Sequence, residues 1–236
     1  MKQKIIRVAF ALLIMAVILF QFTILARASG TISNDLIAWG LKRSGNHEPP
    51  QLDRASWETL NKYNGIAMGN AEKPYLYLTF DLGYEAGYTA QILDVLKETN
   101  VKAVFFITGH YLNTQANLVK RMIEEGHTVG NHTVNHKSLP SLSDAEVEKE
   151  LMDLHKALYD KFGYEMTYFR PPRGEFSERI LSLATNLGYT PVLWSFAYDD
   201  WDEEKQGRTD YAKSKILDNL HNRKHSSTTR NQQRQR

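Results

Sequence analysis

From residue 74 onward, short apolar runs alternate with amphipathic ones, and this alternation limits the possible folds more than any other feature. The apolar runs are YLYLTF (75–80), AVFFIT (103–108), HTVGNHT (127–133), TYFRPP (167–172) and PVLWSF (191–196). Helical periodicity fills 88–99, 115–125, 143–162, 177–187 and 209–220. SDAE at 143–146 is a capping box that starts the third of these helices. Continuous apolar strands need cover on both faces, so the pattern predicts an α/β fold with a parallel sheet or barrel wrapped by helices. In such folds chemistry gathers at the C-terminal ends of the strands. No internal repeat competes with this reading.

Composition supports a globular domain, with 42% hydrophobic and 24% charged residues over 236 positions. The net charge of +2 hides a division. Residues 1–28 carry Lys2, Lys4, Arg7 and Arg27 and no acid, and residues 221–236 carry five basic side chains and no acid. The body between them is therefore at −7, which argues against nucleic acid as a partner. No cysteine is present, so a metal would have to take His, Asp or Glu.

The start of the chain has a basic flank, an apolar run from Val8 to Ala26 and a small-x-small ARA. This is the layout of a signal peptide, with an uncleaved anchor as the alternative, and it predicts an exported, extracytoplasmic body whose membrane contact is through the N-terminal segment alone. The expected organisation is a leader or anchor at 1–28, a lead-in at 29–73, a main domain at 74–220 and a basic, disordered tail at 221–236.

Four places along the main domain offer chemistry. Asp81 ends the first strand, where a carboxylate can be a base or a ligand; it is equally a turn-former before glycine. His132 and His136, in NHTVNH, are four apart after a strand and can converge on one metal, or lie on a surface loop. Arg170 closes a strand before two prolines, where an arginine can hold a carboxylate or be solvated. Asp199, Asp200 and Trp201 follow the fifth strand, and aromatic rings beside acids suit a sugar groove as well as a core edge. His110, after FFITG, either lines the cleft or forms a turn.

Taken in order, TFDLG, NHTVNH, FRPPR and DDW resemble the ordered motifs of the polysaccharide deacetylase family, also called the NodB-homology or carbohydrate esterase 4 family. WGLKRSGNHEPP and TFDLGYEAGYTAQILDVLK look more specifically like the sporulation-linked group that de-N-acetylates muramic acid on the way to muramic δ-lactam in spore cortex. The resemblance implies a distorted (β/α) barrel and a metal-dependent hydrolase acting on peptidoglycan glycan strands, with a divalent metal, usually zinc. It also implies roles. Asp81 is the general base, His132 and His136 hold the metal, Arg170 orients Asp81, and Asp200 orients Arg170. Arg173 and Trp201 contact substrate, and a backbone N–H near Arg173 stabilises the oxyanion.

Three departures from the family pattern bear on these roles. Leu82 stands where the family has a second Asp as metal ligand, which predicts a weaker metal site, and Glu85, three residues further on, is the candidate to replace it. Arg173 replaces a common tyrosine and suits a lactyl carboxylate. The family's last strand, with its histidine acid, has no counterpart in RKHSSTTRNQQRQR, which reads as a frameshift or early stop. The barrel is thus expected to lack its last strand, and a catalytically impaired wall-glycan-binding protein is the alternative function.

Overall fold

The computed structural model describes residues 32–45, 47–69, 75–200, 202, 204 and 208–220. The chain divides into two units, Met1–Asn34 and Asp35–Arg236, and the architecture below belongs to the second. The leader at 1–28, Trp201 and the tail at 221–236, with the question of a last strand, lie outside the described residues. Among the described residues no helix is long and apolar enough to cross a membrane.

Three two-residue strands come first: β1 (Ile37–Ala38), β2 (Leu41–Lys42) and β3 (Gln51–Leu52). Helix α1 (Arg54–Lys62) follows, its first turn capped by the Asp53 carboxylate, which accepts from the backbone N–H of Ser56 at 2.9 Å. The main sheet is built from β4 (Thr79–Leu82), β5 (Val104–Ile107), β6 (Thr128–Asn131), β7 (Tyr168–Phe169) and β9 (Thr190–Pro191), all parallel and in that spatial order. Between β7 and β9 lies β8 (Glu175–Phe176), which pairs antiparallel with β1. Helices α2 (Thr89–Glu98), α3 (Gly109–Thr114), α4 (Ala116–Glu124), α5 (Asp144–Phe162) and α6 (Glu178–Asn186) are the crossovers, and α7 (Thr209–Asp218) follows. A five-stranded parallel sheet with flanking helices is the expected distorted (β/α) architecture.

Local signals explain the elements. The α5 capping box is complete, with Ser143 and Glu146 each accepting from the other's backbone N–H, and the helix stops at Gly163 in the left-handed conformation (φ 64°). Its buried stripe of Val147, Leu151, Leu154 and Leu158 packs with Phe105, Ile107, Val129 and Phe169 from the sheet in one core.

The strands are shorter than the apolar runs, and TYFRPP narrows to Tyr168–Phe169. YLYLTF is strand only from Thr79, because Thr79 is the first residue with a register partner, Val104. Tyr75, Leu76 and Tyr77 are exposed and lie before the start of the ladder. The fifth run is strand only over Thr190–Pro191, and beyond it Val192 takes a single parallel bridge with Ile66.

The 35–69 segment packs on this domain. Trp39, Leu60 and Ala67 share a second core with Phe176, Leu181 and Leu193, and the Trp39 indole N–H donates to the Trp194 carbonyl at 2.9 Å. Strand β1 thereby lies against the turn that follows β7, next to the site.

Candidate active site

Asp81 lies one residue from the C-terminal end of β4, opposite Phe106 of β5. Side chains alternate along a strand, and the consequence is sharp here: Asp81 faces the rim, while Leu82 packs against the main core. Leu82 is thus a packing residue.

Arg170 follows β7 directly and is 3% exposed. Its Nη1 donates to Asp81 Oδ1 at 2.7 Å. Its Nε donates to the Val192 carbonyl at 3.1 Å, and its Nη2 to the Leu193 carbonyl at 3.3 Å. The guanidinium lies 4.2 Å from the centroid of the Phe106 ring, with the Trp194 ring at 5.7 Å. A buried guanidinium needs partners for its donors, and two carbonyls and one carboxylate take three of the five.

The sequence reading assigned that supporting role to Asp200. The guanidinium is braced by the carbonyls after β9, while Asp200 is exposed and its backbone N–H bonds the Tyr198 carbonyl.

His132 follows β6 and is almost fully buried. Its Nδ1 lies 2.8 Å from the Arg170 carbonyl oxygen. A carbonyl only accepts, so Nδ1 carries the proton and Nε2 presents its lone pair. That Nε2 is 3.8 Å from Asp81 Oδ2, and the His136 ring packs edge-on with its centroid 4.9 Å away. Burial lowers the pKa of both imidazoles. For His132 the Asp81 charge works in the opposite sense, and for His136 the neighbouring His132 and Arg173 lower it further.

The loop that aims these rings is strained and tied at several points. Thr133 (φ 69°) and His136 (φ 55°) both occupy the left-handed region. Asn131 Oδ1 accepts from the Thr133 N–H at 2.9 Å, and the Thr133 hydroxyl accepts from the His136 N–H at 2.9 Å. Buried Glu150 on α5 takes Asn135 twice, from its backbone N–H and its side-chain amide, each at 2.8 Å. The sequence reading missed Asn131, Thr133 and Glu150. A signal existed for the last: Glu150 is an acid within the apolar stripe of α5, one residue before Leu151.

Arg173 sits in a 3-10 turn at Pro172–Gly174 with φ 58° and ψ 7°, exposed and close enough to His136 to lower its pKa. Glu85 does not take the place of a metal ligand. Its Oε1 accepts from the Gly87 N–H at 2.6 Å and the Thr89 N–H at 3.2 Å, and its Oε2 accepts from the Tyr111 hydroxyl at 2.8 Å. Glu85 thereby pins the loop after β4. A cleft of about 680 Å³ lies elsewhere, lined by Leu36, Leu41, Lys42 and Asp53, and includes none of these residues.

Among the described residues no three His, Asp or Glu side chains form a metal-ligating group. The donor chemistry nonetheless fits a divalent cation held by two imidazoles: both are held toward the neutral form, and His132 has its lone pair oriented by a second-sphere carbonyl.

Comparison with known proteins agrees with this arrangement. The polysaccharide deacetylase family model matches residues 68–192. The chain is 44% identical over 213 residues to an uncharacterized 30.6 kDa protein from the fumA 3′ region of Geobacillus stearothermophilus, covering 90% of this chain and 80% of that one. It is 40% identical over 197 residues to the peptidoglycan-N-acetylmuramic acid deacetylase PdaA of Bacillus subtilis, covering 83% and 75% respectively. The structure of Bacillus subtilis PdaA, a family 4 carbohydrate esterase, superimposes with a TM-score of 0.78 over 81% of this chain and 82% of that one. The chain therefore belongs to the polysaccharide deacetylase family, the NodB-homology or carbohydrate esterase 4 hydrolases that remove N-acetyl groups from carbohydrates, within the group that includes PdaA.

Proposed function

We propose that this protein is an exported, metal-dependent peptidoglycan deacetylase acting on N-acetylmuramic acid. The observation that carries the reading is the Asp81–Arg170–His132 cluster, in which one buried arginine positions a carboxylate and an imidazole together. Similarity to PdaA, a peptidoglycan-N-acetylmuramic acid deacetylase, supports the substrate class.

In this reading Asp81 is the general base. Arg170 occupies Oδ1, which leaves Oδ2 directed toward His132 and able to take a proton from the water that attacks the acetamide carbon. Fixing one oxygen of a carboxylate limits its rotation, so the other is held ready at low entropic cost. His132 and His136 would hold the cation, which supplies Lewis acidity to the acetamide carbonyl and to the attacking water. The Arg173 backbone N–H would be a donor to the oxyanion. The Arg173 guanidinium suits the lactyl carboxylate that distinguishes muramic acid from glucosamine. Deacetylation leaves an amine on the same sugar as that carboxylate, the pair of groups that δ-lactam closure joins with loss of water; the role in spore cortex rests on this chemistry and on the PdaA-like wording of the sequence.

The experiment is mass spectrometry of muropeptides and de-peptidated glycan after incubation with purified protein, with and without chelator. Loss of one acetyl mass from muramic acid, absent with chelator and absent for Asp81→Asn, is the expected result. Acetyl loss from glucosamine alone would refute the substrate assignment, and unchanged glycan with metal supplied would refute the activity.

A further inference from the structure

The loop that follows β4 presents an aromatic surface beside the active site. Tyr84 is 80% exposed, yet the loop that carries it is fixed. Glu85 ties that loop to the backbone N–H groups of Gly87 and Thr89 and to the hydroxyl of fully buried Tyr111. The Thr108 hydroxyl donates to the Gly83 carbonyl at 3.4 Å on the other side. An exposed tyrosine on a tethered loop is held at a site without an apolar core to fill.

The Tyr84 ring packs against the ring of exposed His110, with centroids 4.5 Å apart and planes tilted by 48°. His110 is itself placed by the histidine loop. The Gly109 N–H donates to the Thr133 and Val134 carbonyls at 3.1 and 3.2 Å, and a Cβ on Gly109 would come within 2.9 Å of Val134. Tyr84 lies three residues from Asp81, and His110 rides on the segment that touches the loop carrying His132. The two rings thus form a ledge on the same rim as the candidate base and imidazoles, connected to both by short, well-bonded chain segments.

We propose that Tyr84 and His110 form a sugar-binding ledge that takes the pyranose ring next to the one being deacetylated. The inference rests on the glycan-deacetylase reading and adds a subsite to it. A polymeric substrate continues past the reacting unit and needs a surface there. Tyr84 offers an apolar ring face to the C–H face of a sugar and a hydroxyl to its rim, at low cost in side-chain freedom because the His110 ring already restrains it. A two-ring ledge matches one pyranose in size and is too small for a stable protein interface.

The test is calorimetric titration of a peptide-free tetrasaccharide of alternating N-acetylglucosamine and N-acetylmuramic acid into the non-turning-over Asp81→Asn protein, with Tyr84→Ala, Tyr84→Phe and His110→Ala added singly. The ledge predicts that Tyr84→Ala weakens binding about ten-fold while Tyr84→Phe keeps most of the affinity. His110→Ala should weaken it in the same direction by loosening Tyr84. Because Tyr84 is largely exposed, its removal should leave the melting temperature unchanged, which separates loss of the ledge from loss of fold. If the parent binds and Tyr84→Ala binds equally well, the ledge is wrong while the deacetylase reading stands. If the parent does not bind the tetrasaccharide at all, the glycan reading and the ledge fall together.

Discussion

Arg170 holds His132 with its carbonyl oxygen and Asp81 with its guanidinium, at 2.8 and 2.7 Å, so a single residue sets both the base and the imidazole. The backbone contact survives any substitution that keeps the fold; the side-chain contact does not. Arg170→Met should therefore leave His132 oriented and release Asp81. Acetate release should fall by about 10²-fold or more, because a general base that is free to rotate loses most of its advantage. Arg170→Lys should not rescue it, since one ammonium cannot reach a carboxylate and two carbonyls in the same directions. The check is kcat for both variants beside a melting curve.

The Asp81–Arg170 pair is unequal, and the inequality predicts which half the fold needs. The Asp81 side chain is 37% exposed and that of Arg170 is 3% exposed. Removing the acid strands a buried guanidinium, so Asp81→Ala should destabilise the protein by about 2–3 kcal/mol. Asp81→Asn keeps an acceptor and should cost less, although both variants should be inactive. Urea unfolding of the two variants measures the difference.

Glu150 anchors the loop between the two imidazoles. Glu150→Ala removes both bonds to Asn135 and leaves a backbone N–H without its acceptor, at a cost of about 2–4 kcal/mol. Zinc affinity, read by competition with a chromogenic chelator, should drop about 10- to 100-fold, the usual effect of losing outer-sphere support. Glu150→Gln should fall between the variant and the parent. Equal metal affinity in all three would show that the loop holds its shape without α5.

Gly130 lies on β6 beneath the site. A Cβ there would come within 2.5 Å of the Phe106 ring and 3.3 Å of the Tyr168 carbonyl oxygen. Phe106 is fully buried and supports the Arg170 guanidinium, so the ring has no free direction in which to move. Gly130→Ala should cost about 1–3 kcal/mol by overpacking and reduce activity through Arg170. Thermal melts and acetate release should change together; a stable, fully active variant would contradict this packing account.

His127, at the opposite end of β6, gives a pH dependence separate from catalysis. Burial lowers its pKa below the ordinary 6.5, nearby Lys102 and Arg121 act in the same direction, and Glu125 opposes them. Its Nδ1 accepts from the Ala103 N–H at 3.3 Å, which leaves Nε2–H facing Glu125 Oε2 at 3.9 Å. A group whose folded pKa is depressed binds its proton more readily when unfolded. Its stabilisation is therefore complete above pH 6.5 and is lost as pH falls from there through the folded pKa. His127→Gln should flatten the fall in stability between pH 7 and pH 5, measured by urea unfolding at each pH.

Local chemistry was legible from the chain alone wherever a side chain's role depends on its own strand or helix. The β/α alternation, the α5 capping box, Asp81 at its strand end and the His132–His136 spacing are all short-range facts: hydrophobic period, cap geometry and turn residues act within about ten residues. The edges of the strands were not legible, because strand propensity runs from Tyr75 while the ladder begins at Thr79, and the register with β5 decides where it begins. What braces Arg170 was also decided in three dimensions. The carbonyls of Val192 and Leu193 accept from the guanidinium, and a backbone carbonyl has no signature in a sequence. The same holds for Glu150 and Glu85. Each is an acid near the right place in the chain, and the direction its carboxylate takes is set by which buried donors, those of Asn135 or of Tyr111, the packed fold brings within reach.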